Sequence, residues 1–432
     1  MKTLLIKDCH IMTMVEKEKP WIGDILIENG RIVRMAEAIE ASASTGTVIE
    51  AKNMIAMPGL INAHNHASMS LLRAFSDDLK LMDWLDKKML PAEARRTRED
   101  VYWGTLLGIA EMIASGTTAF ADMYVHMDAV AEAVQESGIR ASLTRGLVFL
   151  QDDGGRRMTE ALDLIDKWSG AADGRITTML GPHAPYTCPL QPLQEVSALA
   201  RSRKIPLHIH LAETREEVVK IREKYNQTPT EYLHELGVFH DNHVLLAHAV
   251  HLDQNDIGRL RGMRGGVAHN PVSNLKLGCG IAPVTELLSQ GVTVGMGTDG
   301  AGSATTLDMF AEIKAASWMQ KLHYGDPTVL PAEQVLRMAT IESAKLLRID
   351  HEVGTLEVGK RADLILIDTN KPHLSPLHDL HSLIAYSATG ADVDTTIVNG
   401  EILMRNRELT LISWEEIQRE AALRAKRLVE GL

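Results

Sequence analysis

Short apolar segments recur eight times through the middle of the chain, and each ends in a polar or glycine-rich turn. In order they are MIAMPGLINAHNH, TTAFADMY, IRASLTRGLV, ITTMLGPHAP, IPLHIHLAE, HVLLAHAVHL, GGVAHNPVSN and VTVGMGTDG. Most are separated by stretches with helical periodicity, such as REDVYWGTLLGIAEMIASG and PLQEVSALARSRK. Eight alternations of strand and helix predict an α/β protein with a (β/α)₈ TIM barrel rather than an open sheet.

The two ends of the chain show a different pattern, with alternating apolar residues around tight turns. Asn29-Gly30 near the start and Asn399-Gly400 near the end are strong hairpin signals. We therefore expect residues 1–57 and 353–432 to form one small β-sandwich domain that includes a C-terminal amphipathic helix. Residues 58–352 would then form the barrel.

Composition narrows the possible partners. The chain has 432 residues, and Lys+Arg 45 against Asp+Glu 57 gives a net charge of -12, which argues against a nucleic-acid partner. The chain has only three cysteines, a small and odd number that does not suit a disulfide framework and fits a reducing compartment. No run of 18 apolar residues and no leader-like segment occurs, so the expected protein is cytoplasmic and has no membrane partner.

Residues of the types that commonly bind metals stand at the ends of four of the eight predicted strands. They are His64 and His66 after the first, His208, His210 and Glu213 at the fifth, His248 and His251 at the sixth, and Asp299 at the eighth. The functional groups of such barrels gather at these carboxyl ends, and three imidazoles with one carboxylate suit zinc or a similar ion. Residues two apart on a strand share a face, but His208 would lie deeper than His210, so His210 is the preferred ligand.

Each of these residues taken alone is more often a hydrogen-bonded structural residue than a ligand, and only the set favours a metal. Asp299 also lies in GMGTDG, which matches the dinucleotide-binding pattern and leaves a nicotinamide-dependent oxidoreductase as an alternative that cofactor titration would test. That pattern belongs at the first turn of a doubly wound sheet, whereas here it closes the last of eight units.

Several motifs together resemble the amidohydrolase superfamily, and within it the deaminases of 5′-methylthioadenosine and S-adenosylhomocysteine. The resemblance covers nearly the whole chain and rests on PGLINAHNHA, HIHLAET, LLAHAVHL, GVAHNPVSNLKLGCGIAP, GTDGAGSATTLDMF and GTLEVGKRADLILID. It implies that one zinc ion per subunit, with Fe²⁺ as an alternative, is held by His64, His66, His210 and Asp299. The fourth strand ends GPHAPYTC without the lysine of binuclear relatives, which favours a single metal.

The resemblance also implies roles for further residues. Asp299 would accept the proton of the attacking water, Glu213 would protonate the purine N1, and His248 would orient hydroxide and stabilise the developing oxygen. Glu93 would accept hydrogen bonds from the ribose hydroxyls, with Arg145 and His183 beside the substrate. Arg157 would bind a substrate carboxylate, although its neighbour Arg156 is an equal geometric candidate.

The predicted activity is therefore hydrolytic deamination of the adenine ring of 5′-methylthioadenosine or S-adenosylhomocysteine, which yields the inosyl analogue and ammonia. The alternative within this class is a guanine, cytosine, adenosine, 5′-deoxyadenosine or s-triazine aminohydrolase. A non-enzymatic barrel is a further alternative, against which the complete ligand set argues. The predicted partners are a small-molecule nucleoside and, as the family implies, further copies of the chain in a homo-oligomer.

Overall fold

The computed structural model describes residues 3–41, 46–79 and 81–432, and its strands form two sheets. The first sheet begins with β1 (Thr3–Ile11), β2 (Trp21–Glu28), β3 (Arg31–Ala36), β4 (Thr47–Glu50) and β5 (Met54–Pro58). The second sheet follows with β6 (Leu60–Asn65), β7 (Thr117–Tyr124), β8 (Arg140–Leu147), β9 (Ile176–Pro182), β10 (Leu207–Leu211), β11 (His243–His248), β12 (Arg264–His269) and β13 (Thr293–Met296). The chain then returns to the first sheet with β14 (Leu364–Asp368), β15 (Val393–Val398), β16 (Glu401–Arg405) and β17 (Glu408–Leu409).

The second sheet is a barrel of eight parallel strands in chain order from β6 to β13. It closes where the segment after β13 meets β6, since the Asp299 N–H donates to the His64 carbonyl at 3.0 Å. A Cβ atom on Gly297 would lie 2.7 Å from the His64 backbone nitrogen, so glycine is required there. The predicted (β/α)₈ barrel is confirmed. The GMGTDG segment serves the closure of the eighth strand onto the first and does not open a doubly wound sheet.

Helices lie between successive barrel strands and flank the first sheet. They are α1 (Leu81–Trp84), α2 (Leu90–Glu93), α3 (Arg98–Ala114), α4 (Met127–Ser137), α5 (Arg156–Trp168), α6 (Ala171–Gly174), α7 (Leu190–Arg203), α8 (Arg215–Tyr225), α9 (Pro229–Glu235), α10 (Gln254–Leu260), α11 (Pro271–Lys276), α12 (Val284–Ser289), α13 (Ala301–Ala304), α14 (Met309–Tyr324), α15 (Ala332–Arg337), α16 (Ser343–Leu346), α17 (Leu380–Tyr386) and α18 (Trp414–Val429). Short 3₁₀ or π turns span Ala67–Leu72, Leu85–Met89, Met338–Glu342, Pro372–Leu374 and Gly390–Asp392. The long helix α3 begins at a capping box in which Thr97 and Asp100 satisfy each other's backbone N–H groups.

The first sheet joins both ends of the chain. Its order is β17-β16-β15-β14-β5-β1-β2-β3, with β4 beside β1, so the N-terminal strand β5 pairs directly with the C-terminal strand β14. Asn29 and Gly30 have φ of 49° and 79°, and Asn399 and Gly400 have φ of 54° and 73°, the left-handed values that a two-residue hairpin turn needs. The expected small β-domain from both chain ends is confirmed as a mixed sheet.

The C-terminal helix α18 begins at Ser413, whose hydroxyl accepts from the Glu416 N–H. Its buried residues Ala421 and Leu428 pack in one apolar cluster with Trp84, which is 5% exposed. Trp84 is therefore a core residue beneath this helix. Among the described residues, no helix combines the length and apolar character that crossing a membrane requires.

Candidate metal and active site

The four predicted ligands meet at the carboxyl edge of the barrel. The Oδ1 atom of Asp299 lies 3.2 Å from His66 Nε2 and 3.6 Å from His64 Nε2. The ring of His210 lies 4.8 Å from that of His64, centroid to centroid, and the ligand atoms of His64, His210 and His248 are all within 4.8 Å of one another. The barrel strands β6, β10, β11 and β13 thus place the polar side chains at their carboxyl ends around one point.

The three imidazoles all turn the same nitrogen away from that point. His66 Nδ1 donates to the Met123 carbonyl at 2.6 Å, and His210 Nδ1 donates to the His183 carbonyl at 2.8 Å. His64 Nδ1 lies 2.8 Å from His208 Nε2. A carbonyl oxygen accepts only from an N–H, so His66 and His210 carry a proton on Nδ1, and Nε2 is the nitrogen that each ring directs at this point.

The remaining donors complete the set. Asp299 uses Oδ2 to accept from the hydroxyls of Ser273 at 2.7 Å and Ser303 at 2.6 Å, which leaves Oδ1 directed at the histidines. His64 Nε2 is buried and has no hydrogen-bond partner among the described residues. Three imidazole nitrogens and one carboxylate oxygen, each oriented by a second contact, fit a divalent cation.

The electrostatics of this cluster favour a cation. Burial lowers the pKa of His64 to about 3 and that of His210 well below its usual value, so both rings are neutral. Burial opposes ionisation of Asp299, but the adjacent rings of His64 and His66 hold the pKa of its carboxyl well below the usual range. Burial likewise opposes charge on His66, yet the adjacent Asp299 raises its pKa to about 9. The carboxylate therefore attracts positive charge to the point where the nitrogens converge.

Glu213 and His248 lie beside the four predicted ligands. Glu213 follows β10 and points its Oε2 to within 4.0 Å of His248 Nε2, and burial raises the pKa of Glu213. The His248 Nδ1 donates to Asn274 Oδ1 at 3.0 Å, so the opposite nitrogen faces the site. A carboxyl group that is more readily protonated than usual and lies next to an imidazole can transfer protons near neutral pH.

Two of these residues have a strained backbone. His248 has φ of 73° and Asp299 has φ of 62°, in the left-handed region that non-glycine residues rarely occupy. Such conformations carry an energetic cost and concentrate at functional sites, because the surrounding fold must hold them.

Glu93 lies in a second polar group that adjoins the cluster. Its carboxylate accepts from the hydroxyl of Tyr124 and from Arg96 Nη1 at 3.1 Å. The centroid of the Tyr124 ring is 6.3 Å from that of the His66 ring, so Tyr124 lies between Glu93 and the predicted ligands. A small cavity is lined by Glu93, Arg96 and Tyr124 together with Ser68 and Leu72.

The other predicted substrate residues differ in how close the structure brings them. The ring of His183 is 4.8 Å from that of His210, so it belongs to the site. Arg145 is 7% exposed and donates from Nε to Glu160 at 2.7 Å, and Arg157 donates to the Val148 carbonyl at 2.8 Å and pairs with Asp153. The structure thus gives both arginines protein partners and no described contact with the histidines. Arg156 has a more exposed side chain than Arg157, 66% against 23%.

Several residues that hold this site together have no role predicted from the sequence. They are Tyr124, His208, Ser273, Asn274 and Ser303. Residue parity on β10 was a signal for His208, which it places on the face of His210. Cys279 also lies unexpectedly near the site, with Sγ 4.0 Å from Glu213 Oε1, and burial raises the pKa of its thiol.

Eight parallel strands with this donor set at their carboxyl edge define the class of metal-dependent hydrolase barrels. Residues 55–403 match the model of the amidohydrolase family. The chain belongs to that family and is an enzyme of its metal-dependent, hydrolytic kind.

Relatives resemble the chain over its full length. A 5-methylthioadenosine/S-adenosylhomocysteine deaminase from Moorella thermoacetica is 50% identical over 428 residues, which are 98% of this chain and 99% of the relative. A 5′-deoxyadenosine deaminase from Methanosarcina acetivorans is 46% identical over 436 residues, covering 99% of each. The crystal structure of an adenosine deaminase from Xanthomonas campestris with bound zinc has a TM-score of 0.93 at 31% identity and covers 98% of both chains. The likeness therefore includes both sheets.

Proposed function

We propose that the protein deaminates the adenine ring of 5′-methylthioadenosine, S-adenosylhomocysteine or both, releasing ammonia and the inosyl analogue. The observation that carries the proposal is the convergence of three imidazole nitrogens, the Asp299 carboxylate and the Glu213–His248 pair at one point. Full-length relatives at 45–50% identity bear the corresponding deaminase name.

We assign one divalent cation per subunit to His64, His66, His210 and Asp299. Zinc is the proposed ion, supported by the zinc-bound structural relative, and Fe²⁺ is the alternative. When bound, such an ion lowers the pKa of a coordinated water from ~16 to near 7. The strand β9 is followed by His183 rather than a lysine, which supports a single ion.

The remaining steps belong to the side chains of this protein. Asp299 Oδ1 accepts a proton from the attacking water, because Ser273 and Ser303 occupy only the other oxygen. Glu213, with its raised pKa, gives a proton to the purine N1 next to the attacked carbon. His248, whose Nε2 faces the site, orients the attacking water and stabilises the oxygen that develops at that carbon. The amino group then takes the proton held by Asp299 and leaves as ammonia, while the hydroxyl proton of the tetrahedral intermediate returns to Glu213.

Glu93, Arg145, His183 and Arg157 are assigned to the nucleoside beyond the base. Glu93 would accept hydrogen bonds from the ribose diol with the lone pairs that Tyr124 and Arg96 leave free, since each carboxylate oxygen has two acceptor sites. Arg157 would meet a carboxylate such as that of the homocysteine tail. To do so its guanidinium would give up part of its contact with Asp153.

The first experiment measures substrate preference with metal-loaded protein. 5′-Methylthioadenosine, S-adenosylhomocysteine, adenosine and 5′-deoxyadenosine are followed by the adenine-to-hypoxanthine absorbance change and by ammonia release. Turnover of one of the first two is expected, and its absence for both would overturn the proposal. Exclusive turnover of 5′-deoxyadenosine would establish the second candidate, which the Methanosarcina acetivorans relative favours.

The second experiment tests whether the substrate carries a ribose. Glu93→Ala should lower kcat/KM for nucleosides by about 10- to 100-fold, the loss of one or two hydrogen bonds to a charged group. Glu99→Ala, whose side chain is 72% exposed, is the matched control and should leave kcat/KM unchanged. Equal activity of Glu93→Ala and the parent protein would favour a base-only substrate such as guanine or cytosine.

A further inference from the structure

A histidine that is not among the proposed ligands lies directly beneath them. His208, two residues before His210 on β10, is fully buried. Its Nε2 is 2.8 Å from His64 Nδ1, and the two rings meet edge-on at 83° with centroids 5.0 Å apart. Its other nitrogen, Nδ1, is 3.4 Å from the hydroxyl of buried Thr144 on β8. Three barrel strands are thus linked through side chains below the site.

The contact distinguishes His64 from the other two imidazole ligands. His66 and His210 donate to backbone carbonyls, whose positions the strands determine and which can only accept. His64 instead meets an imidazole, which can be donor or acceptor at either nitrogen. The orientation of His64 therefore depends on a side chain that can be replaced without altering the backbone.

The donor and acceptor roles of His64, His208 and Thr144 follow from one requirement. If the buried Nε2 of His64 faces the ion, its proton is on Nδ1, so His208 Nε2 must accept. A neutral His208 that accepts at Nε2 carries its proton on Nδ1 and donates it to the Thr144 oxygen. One direction of donation thus satisfies all three groups.

We propose that His208 is a positioning residue, supported by Thr144, which holds His64 in the tautomer and orientation that place Nε2 on the metal. The inference rests on the metal ligands of the proposed function and adds a residue that acts through one of them. The loss of such an outer contact typically weakens metal affinity by about 10- to 100-fold.

The test measures metal binding without substrate, using the full-length protein. Zinc affinity is determined by competition with a chromogenic chelator, and Co²⁺-loaded protein reports ligand geometry by its visible absorption. His208→Leu should weaken zinc affinity by about 10- to 100-fold and change the Co²⁺ spectrum. His208→Gln, whose amide oxygen can reach the position of Nε2, should restore most of the affinity.

One further pair of variants, at Thr144, and one control variant complete the test. Thr144→Val should weaken zinc affinity less than His208→Leu does. Thr144→Ser keeps the hydroxyl and should match the parent protein. If His208→Leu does not fold, the comparison of these two Thr144 variants tests the inference. His243→Leu is the control, since His243 begins the neighbouring strand β11 and contacts the Leu346 carbonyl at the opposite end of the barrel. Parental zinc affinity in both His208→Leu and Thr144→Val would overturn the inference.

Failure of this inference is distinguishable from failure of the proposed function. A protein that binds zinc through His64 and loses affinity in His208→Leu, but deaminates none of the nucleosides, supports the positioning role and overturns the activity. A protein that deaminates its substrate with unchanged zinc affinity in these variants supports the activity and overturns the role of His208.

Discussion

The two ends of the barrel strands each bury charged side chains, but they use them differently. At the amino end, Arg140 begins β8 and meets Asp363, the residue before β14 of the first sheet. At the carboxyl end, Asp299 meets the histidines. Both groups are almost inaccessible to solvent, with exposures of 4% for Arg140, 3% for Asp363 and 6% for Asp299.

The amino-end pair is satisfied within the protein. Arg140 donates to both carboxylate oxygens of Asp363, at 2.8 and 3.1 Å, and Asp363 also accepts from the Asn399 N–H at 2.7 Å. The Asp363 carbonyl accepts from Gly59, which connects β5 to β6. These contacts attach the first sheet to the barrel and give both oxygens of the carboxylate a partner within the protein.

The carboxyl-end cluster leaves ligand atoms open. His64 Nε2 has no hydrogen-bond partner among the described residues, and Asp299 presents one oxygen to it. His248 and Asp299 also hold left-handed backbone conformations there. The difference teaches that burial of charge alone does not mark a functional site. A functional site is marked instead by a buried polar group that its neighbours orient while one of its donor or acceptor atoms is left without a protein partner.

The largest effect is expected from Glu213→Gln at the carboxyl end. The amide cannot transfer a proton, so kcat should fall by about 10²- to 10⁴-fold, while the free energy of unfolding stays equal or rises because a buried carboxyl is removed. Steady-state kinetics and urea unfolding measure the two quantities. Glu223→Gln on the exposed face of α8 is the control. A variant that keeps more than about a tenth of the parental kcat would contradict proton transfer by Glu213.

Asp363→Leu at the amino end should have the opposite effect, a loss of stability without a loss of activity. It leaves the Arg140 guanidinium buried without its partner and should lower the free energy of unfolding by about 3–5 kcal/mol. Per folded molecule, kcat should remain near the parental value. The double variant Arg140→Met/Asp363→Leu should recover much of the loss, as measured by urea unfolding. A large fall in kcat of folded Asp363→Leu would show that the two ends are not independent.

The smallest effect on stability concerns Glu352, a partly exposed residue in the turn region between α16 and β14. Glu352 accepts from Arg31 at 3.1 Å and Arg361 at 2.9 Å, and although burial opposes ionisation, these arginines lower the pKa of Glu352 below its ordinary 4.5. A pKa that is lower in the folded protein than in the unfolded chain stabilises the fold at pH values above the unfolded-state pKa. This stabilisation is lost as the pH falls through the folded-state pKa.

Glu352→Gln should therefore reduce the free energy of unfolding at pH 7 by at most about 1 kcal/mol, with the difference shrinking below pH 4.5. Urea unfolding at several pH values from 7 downward measures it. Glu50→Gln on β4 of the first sheet is the control. A difference that grows as the pH falls would contradict a lowered pKa for Glu352 in the folded protein.

The sequence predicted much of the fold because its signals are local. Asn29-Gly30 and Asn399-Gly400 form their hairpin turns, and the eight apolar segments form the barrel strands. The sequence predicted which candidate metal ligands come together, because each stands at the end of its strand, where barrel topology gathers them. The partners that orient them were not predicted, since nothing near Asn274 in the sequence indicates that it accepts from His248.

The sequence by itself determined which side chains reach the carboxyl edge and which alternate positions of each strand share a face. Only the tertiary structure decided which imidazole nitrogen points to the centre and which carboxylate is fully paired. The reason is physical, because these choices depend on hydrogen bonds between distant segments. His64 and His208 are 144 residues apart and Arg140 and Asp363 are 223 apart, so no local pattern contains both partners.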